Sequence, residues 1–232
     1  MTRAALPLTI VLVLAVTSIV NPLVAQKSSD DEARRVAEAA TVLEEIMAAA
    51  DKAVPSAIME KAEGIAVFPS MLKGGLVFGA QHGRGILSVR DKKNGGWSAP
   101  AFLTINGGSF GMQIGAQAID LVLVINGQRG LEQLVKNQFK IGADAAVTAG
   151  PVGRDASAST DLQMRAQILS YSRSRGLFAG VTLNGSTIRQ DRDANERFYG
   201  IGYRTGQIVF DGMGGSPDAA NVWKATLSKY AR

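Results

Sequence analysis

The sequence predicts a single α+β domain. Its main part is a largely antiparallel, glycine-rich β-sheet, with an N-terminal and a C-terminal helix packed on it. Three observations carry this expectation. From Ser109 to Ala118 the chain alternates strictly, with Phe110, Met112, Ile114, Ala116 and Ala118 on one side and Ser109, Gly111, Gln113, Gly115 and Gln117 on the other. That period of two belongs to a strand with one apolar face. Asn94-Gly95 and Asn184-Gly185 are hairpin dipeptides, because both central turn positions need positive φ. Near the N-terminus, Val36, Ala39, Ala40, Leu43, Ile46, Met47 and Ala50 recur at helical spacing.

Taken in order, the chain opens with Arg3, an apolar run Leu8–Val20 and a small residue, Ala25. This reads as a signal peptide over residues 1–25, with an apolar run short for a membrane span. A polar lead follows, and helix signals begin at Asp30 and Asp31. Pro55 opens a short helix, Ser56–Ala62, stopped by Gly64. Ile65–Phe68 is a brief strand ended by Pro69. Leu76–Ala80 and Gly85–Arg90 read as strands around a glycine-rich bend, and Ala101–Ile105 returns from the first hairpin. After the alternating strand, Leu121–Ile125 is wholly apolar and reads as a buried strand. Arg129–Asn137 fits a helix and Phe139–Ala149 a strand closed by GPVGR, Gly150–Arg154. Ser157–Asp161 reads as a loop. Ile168–Tyr171, Leu177–Leu183 and Ser186–Arg189 read as strands, and Asp191–Arg197 begins a helix. Ser216-Pro217-Asp218 starts the last helix, with the serine as cap. It runs to about Tyr230 and buries Val222, Trp223 or Leu227.

Composition narrows the chemistry. The 232 residues include no cysteine, which excludes disulfides, thiolate catalysis and cysteine-held metals. It also excludes a lipid-anchored lipoprotein. Removing 25 residues leaves 207, enough for one core. The leader holds one base and no acid, so the rest of the chain carries 24 bases and 20 acids, net +4. That mild balance fits an anionic surface. With no arginine-rich run and no aromatic stacking platform, nucleic acid is not an expected partner. No cofactor is expected either.

The anion candidates are glycine and arginine. In GPVGR, Gly150 and Gly153 let backbone N–H groups converge into a nest, and Arg154 adds a bidentate donor. Arg173 and Arg175 stand two apart, on one face of an extended chain. With Arg154 they form a candidate phosphate patch, and Lys73 belongs to a second basic cluster with Arg84, Arg90, Lys92 and Lys93. A tight turn and a solvated surface explain the same residues. His82, the single histidine, sits in the bend QHGRG, where a surface role outweighs a catalytic one. Asp120 and Asp144 lie in apolar surroundings. A buried carboxylate must be paired or hydrogen-bonded, so structural ties to amides or an arginine are favoured over a hydrolytic pair.

Five blocks occur in order: EKAEGIAVFPSMLKGG (60–75), GGWSAPAFLTINGGSFGMQIGAQAIDLVLVI (95–125), FKIGADAAVTAGPVGRDA (139–156), YSRSRGLFAGVTLNGS (171–186) and NERFYG (195–200). Together they resemble the SYLF domain family, over roughly Thr41–Gly200. The resemblance implies a non-enzymatic protein that binds anionic phospholipid or phosphoinositide-like headgroups. In eukaryotic members an amphipathic segment before the domain contributes to membrane binding. The corresponding helix here carries Arg34, Arg35, Glu38, Glu44 and Glu45, of mixed sign, and packing on the core is expected of it. With a leader in front, the chain is expected to be exported, periplasmic or secreted, and peripheral to a membrane. An envelope protein partner is the alternative, a hydrolase using Asp120, Asp144 or His82 the third reading. Actin is not expected among the partners of an exported chain.

Overall fold

The computed structural model describes residues 22–49, 53–75, 78–92, 95–110, 115–152, 166–174, 177–178 and 183–231. Most of the expected signal peptide lies outside them. The strands are β1 Gly64–Gly75, β2 Phe78–Val89, β3 Ala101–Phe110, β4 Gly115–Ile125, β5 Gln138–Lys140, β6 Val147–Ala149, β7 Ile168–Ser174, β8 Leu177–Phe178 and β9 Thr187–Gln190. The helices are α1 Pro22–Met47, α2 Ser56–Glu60, α3 Gln128–Leu134, α4 Arg192–Tyr199, α5 Thr205–Val209 and α6 Asp218–Tyr230. The expected α+β domain is what forms.

One nine-stranded sheet organises the domain, ordered β5-β9-β3-β2-β1-β4-β7-β6, with β8 beside β7. All pairings are antiparallel except β6 with β7. The strands β3-β2-β1-β4 form a Greek key, with β4 returning to lie beside β1. Both faces are covered over the middle of the sheet. One face carries Ile65, Val67, Ile86, Phe102, Val122 and Val124 against α1 and α6. The other carries Phe68, Leu87, Leu103, Leu121, Leu123 and Ile125 under α3, α5 and Phe139. Double coverage is why IAVF and LVLVI are apolar without alternation. Trp223 of α6 donates from Nε1 to the buried Ser88 Oγ at 2.8 Å, which fixes that helix on the first face.

Several boundaries differ from expectation. α1 is already helical at Pro22, the first described residue, eight residues before the acids at Asp30 and Asp31. Pro69 does not end β1. A bulge absorbs it: the register against β4 moves from Phe68↔Leu121 to Met71↔Ile119, one extra residue on β1. β2 runs through QHGRG as a single strand, so His82 is a strand residue. The alternating stretch does not form one strand. β3 ends at Phe110 and β4 starts at Gly115, two strands apart, and residues 111–114 lie outside the described set. Phe139–Ala149 is broken by a turn into β5 and β6. Gly185 has φ 84°, as its turn requires, but β9 pairs with β3 and β5 and not with β8. β2 and β3 do pair as the first hairpin, with Gly95 and Gly96 at positive φ, while Asn94 lies outside the described residues. At α6 the N-cap is Pro217 and not Ser216, and Val222 is exposed while Trp223 and Leu227 are buried. No helix among the described residues is long and apolar enough to cross a membrane.

Close approach explains one strand glycine. A Cβ on Gly85 would stand 2.4 Å from the Val67 carbonyl oxygen and 2.5 Å from the Phe68 ring. The first obstacle is backbone and cannot yield. Gly85→Ala should therefore cost about 2–3 kcal/mol, the range of overpacked cores, read as a lower urea midpoint with an unchanged slope.

Candidate functional site

The bulge in β1 decides what the projecting end of the sheet presents. A one-residue insertion exchanges the two faces of everything after it. Leu72 consequently points out on the helix-bearing face, where it is 60% exposed. Lys73 turns to the other face and is buried. Ser70 sits in the bulge at φ +48° and donates its N–H to Asp120 Oδ1 at 2.9 Å. Asp120 Oδ2 accepts from Arg173 at 3.1 Å, and Arg173 also bonds Glu45 of α1. Burial works against the Arg173 charge, but its bonds to Glu45 and Asp120 outweigh this and raise its pKa above the ordinary value. Asp120 is thus tied to an amide and an arginine.

Of the expected phosphate patch, the described residues include Gly150 and Arg173, and of the second cluster Lys73. Arg173 is occupied by two carboxylates, on the face opposite Lys73. Gly150 donates its N–H to the Ser170 carbonyl at 3.0 Å. Its lack of a side chain answers to Tyr171: a Cβ would stand 2.1 Å from that ring. The ring's hydroxyl is buried without a partner, and burial raises its pKa. Gly153, Arg154 and Arg175 lie outside the described residues. In the second basic cluster, Lys93 lies outside the described residues. Arg90 donates to the carbonyls of Met59, Glu60 and Ala62 and stacks on Trp97, while Lys92 pairs with Glu63. Asp144 is exposed and not apolar in its surroundings. It closes the β5 turn by accepting the Lys140 N–H at 2.6 Å.

A different set of residues converges. Beyond the reach of α1, the helix-bearing face of the sheet stays open. Exposed Asn106, His82, Leu72 and Ala118 form one row across β3, β2, β1 and β4, with Ala80, Gly108 and Ala116 further toward the tip. Ala116 and Ala118, the apolar side of the alternating stretch, are therefore surface residues. Where this open face meets α1, a cleft of about 310 Å³ forms. Arg34, Arg35, His82 and Arg84 line it, with Asp31 and Glu38 at its edge. His82 Nδ1 and Asn106 Oδ1 are 2.7 Å apart, which orients the ring. Arg34 is neutralised by Asp31 at 3.0 Å and Glu38 at 3.6 Å. Arg84 is exposed and has no ion pair among the described residues. Arg35 lies deeper, over the Phe102 ring at 5.4 Å. Its nearest carboxylates, Glu32 and Asp191, are both at 3.7 Å. Burial lowers the Arg35 pKa, and those acids only partly oppose it. The sequence pattern assigned Arg34 and Arg35 to a solvated helix face. Only the third dimension places them opposite β2.

Residues 106–230 match the family model described as Ysc84, Las17-binding protein actin regulator. The chain belongs to the SYLF (Ysc84) domain family. It is 36% identical over 161 residues to SH3 domain-containing YSC84-like protein 1 of Rattus norvegicus, covering 69% of this chain and 47% of that protein. It is 32% identical over 185 residues to Protein YSC84 of Saccharomyces cerevisiae, covering 78% of this chain and 39% of the relative. LAS seventeen-binding protein 3 of the same yeast is 33% identical over 185 residues, covering 78% and 40%. The chain spans less than half the length of these curated relatives. Of these names, that of LAS seventeen-binding protein 3 is the name of a binding protein. The expectation that excluded actin is corrected here, because the SYLF family is itself described as an actin regulator.

The Asp120 tie can be measured. Asp120→Ala leaves Ser70 without its acceptor and Arg173 with one carboxylate, and should cost about 2 kcal/mol in urea unfolding. Asp120→Asn keeps an acceptor for Ser70 and should cost less than half of that.

Proposed function

We propose that this SYLF domain is a non-enzymatic binding module that attaches reversibly to anionic phospholipid surfaces. The tip of its sheet and the cleft beside α1 would face the membrane. The observation that carries this is Leu72, 60% exposed on the open face, with the exposed Ala80, Ala116 and Ala118 around it and Arg84 nearby in the cleft. An apolar side chain beside a cation suits the boundary between headgroups and acyl chains. Transfer of one leucine is worth about 2 kcal/mol, and each arginine near an anionic surface about 1 kcal/mol. For Leu72 and Arg84 the total of about 3 kcal/mol corresponds to a dissociation constant of several millimolar for one copy. The attachment is therefore peripheral and reversible. The apolar leader Leu8–Val20 supports export with cleavage near Ala25, giving a periplasmic or secreted protein.

A second reading is a protein-docking role, through actin as the family description suggests or through an envelope protein. It is favoured by Phe210, 49% exposed between two clefts of about 690 and 490 Å³, with Ile201 and Met213 also exposed. Co-sedimentation separates the two. Wild-type protein should pellet with phosphatidylglycerol vesicles, not with phosphatidylcholine, and less as salt rises. Leu72→Ser and Arg84→Glu should each weaken pelleting about fivefold or more. If neither vesicle pellets a folded sample, the lipid reading fails. Pelleting with actin filaments alone, lost in Phe210→Ser, would replace it with the docking reading.

A further inference from the structure

The cleft at α1 contains donors that the fold itself does not use. Arg35 is only 8% exposed, and its Nη1 makes no hydrogen bond among the described residues. Both carboxylates near it stand at 3.7 Å, close enough to balance charge and too far to accept a hydrogen bond. Glu32 is committed elsewhere, accepting from Arg197 at 2.6 and 3.0 Å. A buried guanidinium with an unused N–H is costly unless something completes it. Arg84 lines the same cleft from β2 and meets no carboxylate among the described residues. The two guanidiniums repel each other across the cleft. Asp31 and Glu38, which would deter an anion, are each paired to Arg34. Arg34 offsets one of these two carboxylates and leaves a single negative charge, which the unpaired Arg84 balances.

We infer that this cleft is a phosphate site, in which Arg35 and Arg84 grip a phosphomonoester and His82 borders it. Two guanidiniums match the two charges of a monoester, and arginine presents paired donors to its oxygens. A volume of about 310 Å³ has room for a phosphate with a substituent. The inference rests on the lipid reading only for its source of phosphate. The ligand is the exposed headgroup of a monoester lipid or a free small phosphate. Arg173, the cation singled out by the sequence, plays no part, because its charge is already committed.

The test uses the full chain and two kinds of probe. Calorimetric titration with glycerol phosphate, and with inorganic phosphate, should show saturable binding to wild-type protein. Arg84→Ala, an exposed change, should weaken it at least fivefold while leaving thermal unfolding in phosphate-free buffer unchanged. Arg35→Lys keeps the charge but loses the paired donors, and should weaken it at least tenfold. Phosphatidic acid vesicles, which present a monoester, should pellet more protein than phosphatidylglycerol vesicles, which present a diester. Equal titrations for wild type and Arg84→Ala, or no saturation with a folded sample, would overturn the site. Pelleting with phosphatidylglycerol without phosphate binding would sink the site and spare the lipid reading. Binding of soluble phosphate without vesicle pelleting would uphold the site and remove the membrane.

Discussion

The one-residue bulge at Pro69-Ser70 is the constraint on which the useful surface depends. Proline has no N–H for the ladder, so β1 must either stop or step around it. It steps, and Asp120 holds the step by accepting the Ser70 N–H. The same carboxylate receives Arg173, and Arg173 reaches Glu45 on α1. One side chain thus joins the bulge, the edge of β7 and the long helix. The consequence is an exchange of faces: Leu72 becomes exposed and Lys73 buried. Without the extra residue, the leucine would point away from the open face and the lysine would stand on it. The tip would then carry a charge where it now carries an apolar side chain.

The long helix belongs to the core. Val36, Leu43 and Ile46 are almost fully buried against the sheet, each worth about 2 kcal/mol of transfer. Ionic contacts add direction more than strength: Glu32 with Arg197 near one end, Glu45 with Arg173 near the other. Lifting α1 onto a membrane would turn Ile65, Val67 and Ile86 of the sheet out to water and forfeit about 6 kcal/mol of aliphatic burial. Leu72 and Arg84 at the tip offer about 3 kcal/mol in return. The comparison favours a membrane-facing strand tip over a membrane-lying helix. It also agrees with the mixed charge on α1, which lacks the lysine and arginine stripe of an interfacial helix.

Much of this fold is legible in the sequence. LVLVI announces a doubly covered strand, the Val36–Ile46 spacing a packed helix, and Asn94-Gly95 the first hairpin. Asp120 reads correctly as a structural carboxylate, because an acid amid apolar residues must find an amide or a cation. What is hidden is long-range. Local pattern treats Pro69 as a stop, since the bulge that rescues it needs a partner 50 residues away. The turn at Gly185 is visible, but β9 pairs across the molecule with β3. Arg173 and Lys73 look alike as cations and fall on opposite faces through a register shift no short window contains. Arg35 and Arg84 are 49 positions apart and become neighbours only because α1 crosses the end of β2. A site built from a helix and a distant strand leaves no motif.

The central claim is that α1 stays docked while the sheet tip makes contact. Hydrogen exchange of the intact chain, with and without anionic vesicles, tests it most directly. The account predicts unchanged protection of residues 36–46 and added protection over 70–74 and 80–84. Loss of protection in 36–46 on adding vesicles, with none gained at the tip, would contradict it.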